Sequence, residues 1–90
     1  MRVDLFLKKV HIARSRSAAA RLCEEEKIAV NGRPAKSSKD VKPEDRVSVT
    51  LGPKELTFTI VALPEGNVSK AQAQSFYKIT TLKRTFEAFE

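Results

Sequence analysis

The dipeptide Asn31-Gly32 constrains this chain more than any other feature, because of what stands on either side of it. Asn-Gly is the strongest short hairpin signal, since a type I′ turn needs positive φ at both central residues. Before it runs Ile28-Ala29-Val30, a short β segment, and before that a helical pattern. Ser15 is suited to cap that helix, its hydroxyl accepting from free N–H groups of the first turn. The helix is expected from Arg16 to about Glu26. At about 100° per residue, Ala18, Ala19, Leu22 and Cys23 share one side, with Leu22 expected between two helices. Arg16, Ser17, Ala20, Arg21 and Glu24 share the other, with Glu25 set to pair with Arg21 four residues earlier. An amphipathic helix with a basic start feeds a tight hairpin.

The rest of the chain supplies what such a unit packs against. Val3, Phe6, Leu7 and Val10 follow the i, i+3, i+4, i+7 spacing of a buried helical stripe, with Asp4 expected as the cap. Residues 11–14 connect the two helices. Arg33-Pro34-Ala35 is a short return strand with Pro34 at an edge. Asp40 to Asp45 forms a turn with Pro43 at its second position. Val47, Val49 and Leu51 alternate with polar residues as a half-buried strand, which Gly52-Pro53 breaks. Leu56, Phe58 and Ile60 begin another strand, expected to end near Leu63. Ser69 and Gln72 match a capping box for a short helix to about Ser75. Tyr77 and Ile79 suggest a last strand, and a tail from Leu82 carries Phe86 and Phe89. The expected fold class is α+β: two N-terminal helices on a small, mostly antiparallel sheet, with a short extra helix and a C-terminal strand. Residues 1–90 read as one domain, a core motif over 1–51 and a β extension and tail over 52–90.

Charge narrows the chemistry. The net charge is +6, and residues 1–46 hold twelve Lys and Arg against seven Asp and Glu. A basic half on a small domain is the electrostatic footprint of a polyanion binder. One cysteine allows no internal disulfide and no thiolate cluster for zinc, so a reduced, cytoplasmic setting is expected. No apolar run reaches the length of a membrane span, and no secretory leader is evident. Catalysis is not expected. His11 reads as a solvated helix-end residue, Cys23 as a small buried thiol, and Glu24-Glu25-Glu26 point around the helix and cannot converge on a metal. No catalytic group, metal or cofactor is assigned.

The binding candidates are Arg2, Lys8, Lys9, Arg14, Arg16 and Arg21 on or beside the helices, with Arg33, Lys36 and Lys39 beyond the hairpin. Lys and Arg supply the phosphate contacts that dominate nucleic-acid affinity. A merely solvated basic face is the competing reading. Scarce aromatics in this half argue against reading single strands by stacking. Structured RNA, recognised through phosphates and shape, fits better.

An ordered string of residues then carries a resemblance. Met1-Arg2-Val3-Asp4 with Phe6-Leu7, Arg14-Ser15-Arg16-Ser17-Ala18, Val30-Asn31-Gly32, Ala35-Lys36 and Asp40-Val41-Lys42-Pro43 with Asp45 resemble the S-four RNA-binding domain. The chain is similar to its free-standing ribosome-associated members, the RqcP proteins and a ribosome-associated heat-shock protein. The resemblance implies an αL motif whose helix face and adjoining loop lie on RNA. It further implies binding to ribosomal RNA and tRNA on large subunits left holding peptidyl-tRNA and, in the RqcP case, support of a partner that extends the nascent chain; separately, a monomer is expected. Arg2 and Arg16 match the family's principal RNA-contacting residues, with Arg14, Lys36 and Lys39 on the same implied face. Three positions depart from the pattern: Leu5, where a basic residue is frequent; Ala18, where Glu would close a capping box; and Glu44, where Gly is usual, which suggests a type I turn. The alternatives are a general structured-RNA or ribosome-assembly factor, an RNA-binding accessory of an RNA-modifying enzyme, and a protein-interaction module.

Overall fold

The computed structural model describes residues 1–84. Two helices, α1 (Val3–Lys9) and α2 (Arg16–Glu24), precede the strands β1 (Ile28–Val30), β2 (Arg33–Pro34), β3 (Arg46–Leu51) and β4 (Lys54–Ile60). A short helix α3 (Lys70–Ala73), one 3-10 turn and β5 (Tyr77–Arg84) complete the described chain. The five strands form one antiparallel sheet in the order β2-β1-β3-β4-β5. The α+β expectation therefore holds, with β4 ending at Ile60 rather than near Leu63 and β5 continuing through Leu82 to Arg84. Phe86 and Phe89 lie outside the described residues.

The core follows from the two periodicities. Val3, Phe6, Leu7 and Val10 of the first stripe are all buried, against Ile28, Val30, Val47, Val49, Phe58 and Ile60 of the sheet. Phe6 stacks on Phe58 with ring centroids 6.1 Å apart, and Phe58 meets Tyr77 at 5.0 Å. On α2 the buried centre falls at Ala19 and Cys23, while Leu22 is only partly buried at the edge of the core. The expected placement of Leu22 between the helices is thus displaced by one helical step. Small residues at the contact let α2 lie close on the core. Burial, with the nearby charges of Asp4 and Glu24, pushes the Cys23 thiol up from its ordinary value. Leu51 is also more exposed than a half-buried strand position predicts.

Both helices stop in the same way. After α1, the N–H of His11 bonds to Lys8 O (3.1 Å) and that of Ile12 to Leu7 O (3.0 Å). After α2, Glu26 N–H reaches Cys23 O (3.0 Å) and Lys27 N–H reaches Leu22 O (2.9 Å). These are Schellman motifs, which require a left-handed residue just past the cap, usually glycine. Here His11 and Glu26 take that conformation, at φ of 61° and 59°. His11 is compensated by a hydrogen bond from its ring to Val68 O, and Lys9 Nζ donates to Gly66 O at 2.7 Å. Together they strap the 64–68 loop to the end of α1.

The turn at Lys42-Pro43-Glu44-Asp45 corrects one expectation. Glu44 has φ of 79°, and Asp45 N–H bonds to Lys42 O at 3.1 Å, the pattern of a type II turn. The backbone keeps the geometry that glycine would favour because Glu44 N–H is committed to Ile60 O at 2.8 Å. Asp45 locks the same corner from within. Its carboxylate accepts from Asn31 Nδ2 (3.2 Å), Lys42 N–H (3.0 Å) and Lys42 Nζ (3.1 Å). Burial alone would raise this carboxyl, but those hydrogen bonds and the Lys42 charge outweigh it and hold it below the ordinary 3.8. Asn31 also accepts from Arg46 N–H, and Asn31 and Gly32 both have positive φ, at 52° and 84°. The hairpin is therefore as tight as its dipeptide demands.

Candidate nucleic-acid interface

The start of α1 is not capped by Asp4. Arg2 occupies the cap position without a side-chain bond, and Asp4 sits inside the first turn. The free N–H groups find other acceptors: Val3 N–H bonds to Lys39 O (2.8 Å) and Asp4 N–H to Ser37 O (3.3 Å). Val41 N–H in turn reaches Met1 O at 2.8 Å, and Arg2 bridges Asp40. The segment after β2 is thereby laid along the beginning of α1, and Lys39 comes beside Arg2.

Asp4, released from capping, does something else. It is 3% exposed, and its Oδ1 accepts from Leu5 N–H at 2.7 Å. Its Oδ2 takes Arg2 Nη2 at 3.2 Å and Arg16 Nε at 3.4 Å. One buried carboxylate oxygen thus holds two guanidinium groups from two different helices. Arg16 reaches it because Ser15 caps α2, its Oγ accepting from Ala18 N–H at 3.1 Å, which fixes the first turn of α2 against α1. The arginine side chains remain 46% and 48% exposed, so each offers its remaining donors to solvent. The result is a pair of positively charged forks with a set spacing, suited to bidentate phosphate contact.

The other candidates divide by whether a partner already holds them. Lys9 is half-buried and tied to Gly66, and Lys8 lies beside it in a shallow cleft with His11, Asn67 and Val68. Arg14 and Arg21 are exposed, and neither forms an ion pair among the described residues. Glu25 does not pair with Arg21; it meets Lys27 at 3.0 Å, because the helix has ended and the chain has turned back. Arg33, Lys36 and Lys39 gather around one groove, described below. Asp4 is the residue that sequence reasoning misplaced. The signal for it was a carboxylate bordering the apolar stripe of one helix, ahead of a second helix that begins Arg14-Ser15-Arg16. Among the described residues no three of His, Cys, Asp and Glu come together as a metal site, and no helix is long and apolar enough to cross a membrane.

Comparison with known proteins bears on the same residues. The S4 domain family model matches residues 1–47, which include both helices, the hairpin and the Asp45 corner. An RQC P-site tRNA stabilizing factor of Listeria innocua is 39% identical over 88 residues, spanning 98% of this chain and 95% of the relative. The protein of that name from Bacillus subtilis is 35% identical over 79 residues, spanning 88% and 91%. Among solved structures, the trimeric heat shock protein 15 of Vibrio cholerae superposes with a TM-score of 0.84 at 29% identity, covering 89% of this chain and 81% of the other. The motif match over the basic helices, and the near full-length identity, lead to one conclusion: the chain belongs to the S4 domain family of RNA-binding proteins, among the RQC P-site tRNA stabilizing factors.

Proposed function

We propose that the chain binds the large ribosomal subunit in ribosome-associated quality control and stabilises the P-site tRNA there. The observation that carries this is the Arg2–Asp4–Arg16 cluster within the family motif. Two guanidinium groups held on one buried carboxylate meet phosphates without first having to be ordered, which lowers the entropic cost of binding. In this reading Arg2, Arg14 and Arg16, with Lys36 and Lys39 alongside, contact phosphates of ribosomal RNA and peptidyl-tRNA. Lys8, Lys9, Arg21 and Arg33 extend the field around that centre. The role is one of binding: the chain acts in the cytoplasm, as a monomer on the subunit, and steadies the tRNA for a partner that elongates the trapped nascent chain.

The test is sedimentation of the tagged protein from cell extract. Co-migration with free large subunits is the expected result; migration with neither subunits nor ribosomes would refute the reading. Arg16→Ala should weaken binding and flatten its salt dependence by about one phosphate contact, roughly 0.7–0.9 in the slope of log affinity against log salt. Glu25→Ala, at the other end of α2, should leave both unchanged. Equal affinities and slopes for the two variants would reduce the basic helix to a solvated face.

A further inference from the structure

Between the β1–β2 hairpin and the segment that follows it lies an open groove of about 310 Å³. Its distinguishing wall is the apolar one, since the cleft at Lys8, Lys9 and His11 also lacks a carboxylate, while the adjoining cleft that shares Lys36 and Ser38 is lined by Glu24. Val30, Pro34 and Ala35 form an apolar floor, Arg33, Lys36 and Lys39 stand around it with Ser38, and no carboxylate lines it. None of these three cations forms an ion pair among the described residues. They differ in this from Lys27 and Lys42, whose partners are Glu25 and Asp45. The floor is fixed: Ala35 N–H bonds to Ile28 O at 3.0 Å, Val30 and Ala35 are buried, and Lys39 is held by its carbonyl at the start of α1. The groove therefore opens beside Arg2, and it joins concentrated unpaired positive charge to a small dry surface.

From this we infer that the groove seats one unstacked nucleotide of the bound RNA, its phosphate among Arg33, Lys36 and Lys39 and its base against Val30, Pro34 and Ala35. The inference rests on the RNA-binding reading above and adds a distinct subsite to it. Charge complementarity selects an anion, and the apolar floor selects one with a flat hydrophobic part. A bulged or looped nucleotide has both; a paired nucleotide keeps its base inside the duplex. The Arg33 guanidinium can cover the exposed base face in place of the aromatic side chains this surface lacks. Ser38 adds a hydroxyl that can donate or accept at the base or ribose edge. The contact is to one nucleotide rather than a strand, consistent with a groove this short.

The experiment uses two RNA probes in the full-length protein's binding assay: a perfect hairpin duplex, and the same hairpin with a single bulged 2-aminopurine. The wild-type protein should bind the bulged probe about tenfold more tightly, the order of one charge-assisted contact, and should change the 2-aminopurine fluorescence. The double variant Arg33→Ala/Lys36→Ala should bind both probes more weakly, because two cations are lost, and should bind them equally, with no fluorescence change. Both side chains are exposed, and melting temperature checks that the fold is kept. Lys36→Glu provides a second variant, and it should turn the preference against the bulge. Arg16→Ala should weaken both probes alike. Equal wild-type binding of the two probes, or a preference that survives in the groove variants, would overturn the subsite while leaving RNA binding standing. Failure to bind either probe would count against the underlying reading instead.

Discussion

Replacing Asp4 by Asn sets two consequences of one side chain against each other. The shape is nearly conserved, and the oxygen that accepts from Leu5 N–H can remain. The other position becomes an NH₂ group facing Arg2 and Arg16, so a hydrogen bond from Arg2 at 3.2 Å and an ion pair with Arg16 at 3.4 Å become donor against donor. A hydrogen bond between charged groups contributes roughly 1.5–3 kcal/mol. Both guanidinium groups are about half exposed and regain water when released, so the pair together should contribute about 1–3 kcal/mol. For a domain of this size each kcal/mol corresponds to about 4–8 °C in melting temperature. A loss of roughly 4–24 °C in a circular-dichroism melt is therefore expected. Net charge meanwhile rises from +6 to +7. Long-range attraction to RNA grows with that charge, so a carboxylate that merely diluted the basic field would, on removal, tighten binding. If it holds the two arginines in register, binding should weaken about three- to tenfold at a temperature where the variant is folded. The assay is fluorescence anisotropy on a structured RNA at two salt concentrations. Unchanged or tighter binding by the folded variant would refute the positioning argument.

Other perturbations test separate parts of the structure. Glu44→Gly and Glu26→Gly should each stabilise by about 0.5–1 kcal/mol, since left-handed φ costs an L side chain roughly 1–2 kcal/mol and the added freedom of the unfolded chain offsets part of the relief; urea unfolding measures it. His11→Gly should show no such gain, because it also removes the ring bond to Val68. Asp45 binds its proton less readily folded than unfolded, so its contribution is fully present above about pH 4 and lost as pH falls through the lower folded value. Asp45→Asn should flatten the stability profile in that acid window, as read from melts at stepped pH. Leu22→Ala should cost about 1–2 kcal/mol, near or below the low end for buried leucines, whereas Phe58→Ala should cost about 3–5 kcal/mol. A larger loss at Leu22 than at Phe58 would invert the core described above.

What the sequence made legible follows from how local each cause is. The Asn31-Gly32 turn, the Ser15 cap and the Ser69–Gln72 box each depend on side chains within four residues, and each is found as its motif predicts. The stripe of α1 was legible because four apolar residues sharing one face leave little choice of phase. Leu22 misled because α2 offers alanines and a cysteine beside it, so the period gave the side but not its centre. Asp4 read as a cap because the carbonyls that satisfy the helix start come from Ser37 and Lys39, more than thirty residues away. The left-handed residues His11, Glu26 and Glu44 were invisible for a similar reason: backbone hydrogen bonds, not side-chain identity, impose their conformation. The basic candidates were legible as a set. Their division into clamped arginines, a strapped Lys9 and free groove cations depended on tertiary partners.

The seam between β3 and β4 bears on how this chain could be cut. The family match stops at residue 47, inside β3, yet every residue of β3 pairs with β4 in a continuous ladder. Phe58 and Ile60, supplied by β4, are buried against the helices that carry the arginines. A fragment trimmed to the matched segment would leave Phe6 without its stacking partner and Val47 on a raw edge. Such a minimal peptide should be a poorly ordered chain that regains helix signal when residues 48–84 are added in trans, as in fragment complementation. The evolutionary module and the cooperative folding unit therefore have different borders, and binding studies on the shorter one would measure unfolding.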